Sequence, residues 1–190
     1  QTITSGDDCV DTPVNGNEAS TGVGNERRGN YCVMNSVDHN GCAFSNGNLT
    51  ITPSSSKCGR GTIWATSGKW YFEFDMTAYG NPYVGIASTG LLQHYVSANS
   101  IAVNNTGDIY VTTDKSQSYP GKTVQIDAVG SYMCAFDLDN GKIWWGKNGT
   151  WYRFDSSSSN QTTTLSDVEA GNGALSFSSH KKFGEAWTIQ

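Results

Sequence analysis

Apolar and polar residues alternate with a period of two along much of the chain. The clearest example runs from Lys69 to Met76, where Trp70, Phe72 and Phe74 alternate with charged or phenolic residues. Alternation of this kind is typical of an antiparallel strand with one face in the core. No segment shows the i, i+3, i+4, i+7 spacing of a clear amphipathic helix. The pattern therefore predicts an all-β protein with less than about 10% helix.

Two Asn-Gly pairs predict tight turns between later strands, because both central residues of a type I′ turn need positive φ. Residues 132–138 alternate, and Asn140-Gly141 separates them from a returning strand at residues 143–145. The second pair, Asn148-Gly149, precedes a strand at residues 151–154. Shorter strands are predicted at residues 83–87, 101–103, 109–111, 174–177 and 185–189, and residues 156–164 are predicted to form a polar loop.

The predicted core contains Trp70, Phe72, Phe74, Phe136 and Trp145. Neighbouring strand residues face opposite sides, so an inward Trp145 leaves Trp144 on the outer face. An outward indole can stack on a sugar or anchor a protein interface. The alternative for Trp144 is packing beneath a loop or against another sheet.

Length and charge narrow the class of protein. A chain of 190 residues suits one domain, and we predict an extended arm over residues 1–30 followed by a β-sandwich over residues 31–190. The formal net charge of −5 disfavours a nucleic-acid binder, which needs a basic stripe. No apolar run approaches the roughly 18 residues of a membrane span, so no membrane insertion is expected.

Candidate catalytic groups are sparse. His39, His94 and His180 have no His or Cys at metal-ligand spacing. Glu73 and Asp75 lie on one face of the same strand, about 7 Å apart. This separation is compatible with the two catalytic carboxylates of a glycosidase. Solvated sheet carboxylates are the favoured interpretation. We therefore expect a protein that is not an enzyme and uses no metal or cofactor.

Four of the five cysteines fall within the first 58 residues. In an oxidising compartment they could form two disulfides with three connectivities, whereas in a cytoplasm they would remain thiols. The sequence leaves both open for Cys9, Cys32, Cys42 and Cys58. Four N-x-S/T sequons keep an extracellular alternative open, at Asn48, Asn104, Asn148 and Asn160.

Three blocks in the same order resemble the SPRY family. They are Ser67-Gly68-Lys69 before the aromatic strand, Tyr83-Val84-Gly85-Ile86-Ala87, and residues 135–143 followed by Lys147-Asn148-Gly149. The resemblance covers about residues 60–190. It implies a concanavalin-like jelly roll of two antiparallel sheets that binds other molecules and carries no catalytic residues.

The N-terminal series resembles SPRY-type modules of bacteriophage tail and virion proteins. It consists of Asp11-Thr12-Pro13-Val14-Asn15, residues 29–35 and residues 44–49. The chain departs from the family pattern in an insertion over residues 16–28 and in lacking N-F-G-Q after Trp187-Thr188-Ile189. The resemblance implies a non-catalytic virion surface module, such as a tail-fibre or receptor-binding domain. The alternatives are a capsid decoration protein and a subunit of a secreted extracellular filament.

Recognition is expected at loops carried by a rigid sandwich, through large side chains. The expected partner is a protein or cell-surface glycan on a host, a neighbouring virion subunit or another copy of the chain. The apolar pair Leu91-Leu92 could instead be buried by a partner chain. The predicted binding residues are Leu91, Leu92, Tyr95, Tyr119, Trp144, Trp151 and Tyr152.

Overall fold

The computed structural model describes most of the chain from Cys32 onward, and the regular elements of its described part are antiparallel β-strands and one five-residue helix. This confirms the predicted all-β class. The predicted arm over residues 1–30 lies outside the described residues. Those residues are 32–53, 57–78, 82–88, 100–105, 107, 109–112, 117–119, 129–154, 161–177 and 186–189.

The described strands form two larger sheets and two small ribbons. The elements are β1 (Met34–His39), β2 (Cys42–Ser45), β3 (Thr50–Pro53), β4 (Gly59–Gly61), β5 (Lys69–Met76), β6 (Tyr83–Ser88), β7 (Ser100–Asn104), β8 (Ile109–Thr112), β9 (Gln117–Tyr119), β10 (Gly130–Asp137), β11 (Lys142–Lys147), β12 (Thr150–Tyr152), β13 (Thr162–Thr163), α1 (Leu165–Glu169), β14 (Leu175–Ser176) and β15 (Trp187–Ile189). The six-stranded sheet has the order β13-β12-β11-β10-β5 with β14 also on β11, the five-stranded sheet has the order β15-β6-β7-β8-β9, and the ribbons are β1–β4 and β2–β3.

One apolar core joins the two larger sheets. Buried side chains of both sheets belong to a single cluster, as expected where two sheets pack face to face. Phe136 and Trp145 are buried there as predicted, and Trp70, Phe72 and Phe74 are half-buried against the same cluster. The five-stranded sheet contributes Ile86, Ile101, Val103 and Ile109, and the six-stranded sheet contributes Tyr132, Cys134, Phe136, Ile143 and Trp145.

The two Asn-Gly turns differ. Asn148 and Gly149 have φ of 49° and 79°, and Lys147 pairs with Thr150, so the predicted type I′ turn is present. The prediction for Asn140-Gly141 needs correction. Asp137 pairs with Lys142 across a four-residue loop, and of Asn140 and Gly141 only Gly141 has positive φ. The Asp137 carboxylate accepts the backbone N–H groups of Asp139 and Asn140 at 2.9 and 3.0 Å, which stabilises this wider loop.

Seven described elements lie where the sequence predicted none: β1, β2, β3, β4, β9, β13 and α1. Thr162–Thr163, inside the predicted polar loop, pairs with β12, while residues 155–160 of that loop lie outside the described residues. Helix α1 follows directly. The two predicted closing strands are present in shorter form, with β14 on β11 and β15 on β6.

The segment before β5 and the loop after β10 contact each other. The Gly68 N–H donates to Oδ1 of Asp139 at 3.0 Å, and the Leu138 N–H donates to the Gly68 carbonyl at 2.9 Å. Gly68 has φ of 87°, a conformation that favours glycine. The block before β5 therefore fixes the loop that follows β10.

Candidate functional site

The outer face of the six-stranded sheet carries a second apolar cluster. Met133 and Trp144 come from adjacent strands, Trp151 from β12 and Val168 from α1, and all four are buried. Each strand residue points away from the main core because its sequence neighbour fills that core. A sheet face turned away from the main core is often polar and solvated, so this apolar outer surface is a candidate site.

Helix α1 covers part of this face, and both its ends are fixed. Thr164 and Asp167 form a reciprocal capping box at the N-terminus, which satisfies orphan N–H groups. At the other end, the Nζ of Lys69 donates to the Glu169 carbonyl at 3.3 Å. Two more groups from β11 act just beyond the helix: Nζ of Lys142 donates to the Gly171 carbonyl at 2.8 Å, and Nε1 of Trp144 donates to the Asn172 carbonyl at 2.7 Å.

Gly146 allows Trp151 to lie close against β11. The two residues are directly paired. A Cβ at position 146 would lie 2.4 Å from Cε of Met133 and 2.8 Å from the Thr150 carbonyl oxygen. A side chain there would force the outer cluster apart. The glycine is therefore needed for packing at this position.

Between β5 and α1 the outer cluster opens into a cleft of about 800 Å³. Tyr71 and Leu165 stand beside it, 52% and 57% exposed. Its floor is apolar, and polar groups lie along its margins. The lining comprises Lys69, Trp70, Tyr71, Met133, Ala135, Phe136, Asp137, Trp144, Gly149, Thr150, Trp151, Thr162, Thr163, Thr164, Leu165, Val168 and Glu169. We refer to this space as the outer cleft.

Tyr71 is held in place at the margin of the outer cleft. Its ring centroid lies 6.1 Å from that of Trp151, with the planes tilted by 58°, and its hydroxyl donates to Glu73. Burial and this hydrogen bond to Glu73 raise the pKa of the phenol. The phenol therefore stays neutral at physiological pH, and an exposed ring is presented in a fixed orientation.

The predicted binding residues separate into three groups. Trp144 and Trp151 line the outer cleft, and Trp144 lies on the outer face but is only 3% exposed, which agrees with the interpretation that it packs beneath another segment. Tyr152 packs against the main core instead. Tyr119 belongs to β9, and its side chain lies outside the described part, as do Leu91, Leu92 and Tyr95.

Sequence reasoning missed Tyr71, Leu165 and Val168. Tyr71 was assigned to the polar face of its strand, and the other two lie in the unpredicted helix. One signal was available, since Thr164-Leu165-Ser166-Asp167 has the S/T-x-x-acid form of a capping box before an apolar residue.

The carboxylates considered for catalysis are engaged by neighbouring hydroxyls. Glu73 accepts from Tyr71, and Asp75 accepts from the Ser131 hydroxyl at 2.5 Å. His39 stabilises the turn between β1 and β2, because its Nδ1 accepts hydrogen bonds from the N–H groups of Gly41 and Cys42. His94 and His180 lie outside the described residues. Within the described segments, no group of three or more His, Cys, Asp or Glu side chains is arranged to hold a metal ion.

The four cysteines that the structure describes form no disulfide bonds. They are Cys32, Cys42, Cys58 and Cys134, and Cys9 lies outside the described residues. Burial raises the pKa of Cys42, Cys58 and Cys134, so these thiols stay protonated at neutral pH. Disulfides under oxidising conditions remain a prediction.

No protein-family model matches the chain, and no curated protein sequence matches it significantly. In the described part of the chain, no helix has the length and apolar character needed to cross a membrane.

Proposed function

We propose that this protein is a non-catalytic binding module on the surface of a virion, and that the outer cleft holds part of its partner. The observation that carries the proposal is the outer cleft itself, an apolar floor between two exposed side chains on a rigid sheet. Ligand sites are usually preformed, mostly apolar concavities with a few polar groups at the margin. The virion assignment rests on the phage-like sequence series.

Binding is favoured over catalysis by the character of the groups at the cleft. Its lining includes the apolar side chains of Met133, Ala135, Trp144 and Trp151, and the carboxylate of Asp137, which also lines it, accepts hydrogen bonds from its own loop. The carboxylates of Glu73 and Asp75 hold hydroxyls of their own neighbours. Lys69 and Lys142 are occupied with carbonyls at the C-terminal end of α1.

A protein partner suits the cleft better than a glycan. Stacking on a sugar requires an exposed aromatic face, and of Tyr71, Trp144 and Trp151 only Tyr71 is substantially exposed. The apolar floor and the exposed Leu165 instead fit an apolar side chain inserted from another protein. Interfaces are commonly anchored in this way, by one large side chain in a desolvated pocket. The partner is then a host surface protein or a neighbouring virion subunit.

The chain offers a matched pair of leucines for a test. Leu165 lies in the outer cleft, and Leu49 lies in the turn between β2 and β3. Both are exposed, 57% and 66% respectively, so changing either to Asp should disturb the fold little. Because a central interface residue contributes about 2 kcal/mol or more, Leu165→Asp should weaken binding by tenfold or more. Leu49→Asp should bind like the parent.

Binding of fluorescently labelled protein is measured on host cells and on purified virus particles. If Leu165→Asp binds host cells more weakly than the parent, receptor binding is supported. If it binds only virus particles more weakly, capsid decoration is supported. If the parent binds a glycan array and Leu165→Asp does not, the partner of the outer cleft is a glycan and not a protein. Equal binding by parent, Leu165→Asp and Leu49→Asp would remove the outer cleft from the function. Long polymers that bind neither surface would favour the extracellular filament.

A further inference from the structure

Strand β5 is a long edge of the six-stranded sheet. All eight of its residues pair with β10, from Lys69 opposite Asp137 to Met76 opposite Gly130. Among the described residues no strand pairs with its other side. The other described end strands of the two larger sheets are short, with two residues in β13 and three each in β9 and β15. Long edge strands are templates for pairing with another chain unless they are blocked.

The edge of β15 is covered, whereas no described strand pairs along the outer side of β5. The Thr188 hydroxyl lies 3.1 Å from the Gly61 carbonyl oxygen and 2.6 Å from that of Ile63, so the segment around β4 packs beside β15. On β5 the inward aromatic residues Trp70, Phe72 and Phe74 are only half-buried, although the residues opposite them on β10 are 6% exposed or less. A further strand beside β5 would complete their burial.

The charges on β5 are suited to pairing with themselves. Lys69 stands at one end of the strand and Asp75 near the other, with Tyr71 and Glu73 between them on the same exposed face. In an antiparallel pair, directly opposed residues share a face. Reversing the strand against a copy of itself therefore brings opposite charges together at both ends.

We propose that a second copy of this chain binds the free edge of β5 in antiparallel orientation, with Phe72 on the two-fold axis. In this register Lys69 lies opposite the partner's Asp75, and Tyr71 lies opposite the partner's Glu73. A register centred on Glu73 would instead oppose two like charges, which destabilises a cross-strand pair. The contact is isologous and closes after two copies. This inference is independent of what the outer cleft binds.

The association would join the two six-stranded sheets into one. Tyr71 belongs to both the edge and the outer cleft, so the two clefts would lie on the same face of the continuous sheet. Two linked sites bind a multivalent surface more tightly than one, because the second contact becomes intramolecular. On the proposed function, the partner is present in many copies on a host cell or on a virion, so a dimer could bind two copies at once.

Charge reversal on the full chain tests the register, with sedimentation equilibrium as the measurement. The parent should form a dimer at micromolar concentration. Lys69→Glu and Asp75→Lys each create two like-charge pairs, so each should raise the dissociation constant about tenfold or more. An equimolar mixture of the two variants should recover the dimer, because Glu at position 69 then faces Lys at position 75. Lys57→Glu, the same charge change at an exposed site outside β5, should dimerise like the parent.

Circular dichroism establishes that each variant is folded. Hydrogen exchange of the unmodified chain adds a check that needs no substitution, since protection of peptide 69–76 should rise with protein concentration as dimers form. A parent that stays monomeric with concentration-independent exchange in β5 would overturn the proposal. A dimer that both reversals leave intact would place the interface elsewhere.

Discussion

At the scale of single residues, Trp144 and Trp145 show how β11 serves both sides of its sheet. Trp145 is buried between the two larger sheets, where its ring meets that of Phe154 edge-on at 5.3 Å. Trp144 is buried on the opposite face beneath α1 and donates a hydrogen bond to Asn172. A change at Trp145 should therefore act mainly on stability, and a change at Trp144 on the shape of the outer cleft.

Truncation of Phe136 tests the assignment of core faces. Phe136 is 6% exposed in the main core, so Phe136→Ala should lower the free energy of unfolding by about 3–5 kcal/mol. Phe72→Ala should cost less, because Phe72 is half-buried. Val37→Ala is the control, since Val37 is 89% exposed. Urea unfolding gives the values, and parent-like midpoints for both phenylalanine variants would mean that the faces of β5 and β10 are assigned wrongly.

Asp137 gives a prediction on pH. Burial alone would raise the pKa of its carboxyl, but hydrogen bonds from Asn140 and Asp139, with the charge of Lys69, outweigh burial and lower it. A lowered folded-state pKa contributes stability above the unfolded pKa, and that contribution is lost as pH falls through the folded pKa. Asp137→Asn should therefore lower the free energy of unfolding by about 1–3 kcal/mol at pH 7.

The parent and Asp137→Asn should differ less in free energy of unfolding as the pH falls below the unfolded pKa of about 3.9. Urea titrations from pH 7 downward measure this difference. Asp139→Asn is the matched control, because it removes a charge from the same loop while the Asn Oδ1 can still accept the Gly68 N–H. A difference that stays constant to the lowest pH would mean that the charge of Asp137 does not stabilise the loop.

At the scale of elements, the turns show what local sequence can and cannot specify. Both Asn-Gly pairs favour the same turn type, yet only Asn148-Gly149 adopts it. The loop after β10 contains Asp137, whose carboxylate binds two backbone N–H groups and the Asn140 side chain. The turn type is thus determined by the side chain of Asp137, which lies outside the Asn-Gly dipeptide. The turn preference of the dipeptide alone does not take this side chain into account.

Two glycines should respond differently to the same substitution. A Cβ on Gly85 would lie 1.8 Å from the Ile101 carbonyl oxygen, so Gly85→Ala should separate β6 from β7 and cost about 3 kcal/mol or more. Gly149 has φ of 79° and no atom within 4 Å of such a Cβ. Gly149→Ala should then cost only the backbone strain, about 1–2 kcal/mol. Thermal unfolding ranks the two, and the reverse order would contradict the close approach of β6 and β7.

Helix α1 was not predictable from periodicity because it has only five residues and one buried side chain, Val168. Its own sequence gives little helical stability at that length. The capping box and the three donors from β5 and β11 hold it on the sheet. These donors are distant in sequence, so the helix depends on tertiary structure.

At the scale of the whole molecule, most strands from β5 onward and their faces were predictable, whereas the order of strands in the sheets was not, and the site was predictable only in part. Period-two alternation is local, so it located β5 and β10, and short apolar runs with turn signals located β6, β7, β8 and β11. The outer cleft combines Tyr71, Trp144 and Leu165, which are far apart in sequence. The two cleft tryptophans could be proposed from residue type, but their burial depends on a helix that hydrophobic periodicity did not indicate.

The central claim is that the outer cleft recognises a partner at the virion surface, and inhibition of virus adsorption tests it most directly. Host cells are incubated with increasing purified protein, virus is added, and the adsorption rate is measured. The parent and Leu49→Asp should slow adsorption in proportion to receptor occupancy, and Leu165→Asp should need at least about tenfold more protein for the same effect. If Leu165→Asp blocks adsorption as well as the parent, or if the parent does not block it at all, recognition of a host receptor through the outer cleft is contradicted.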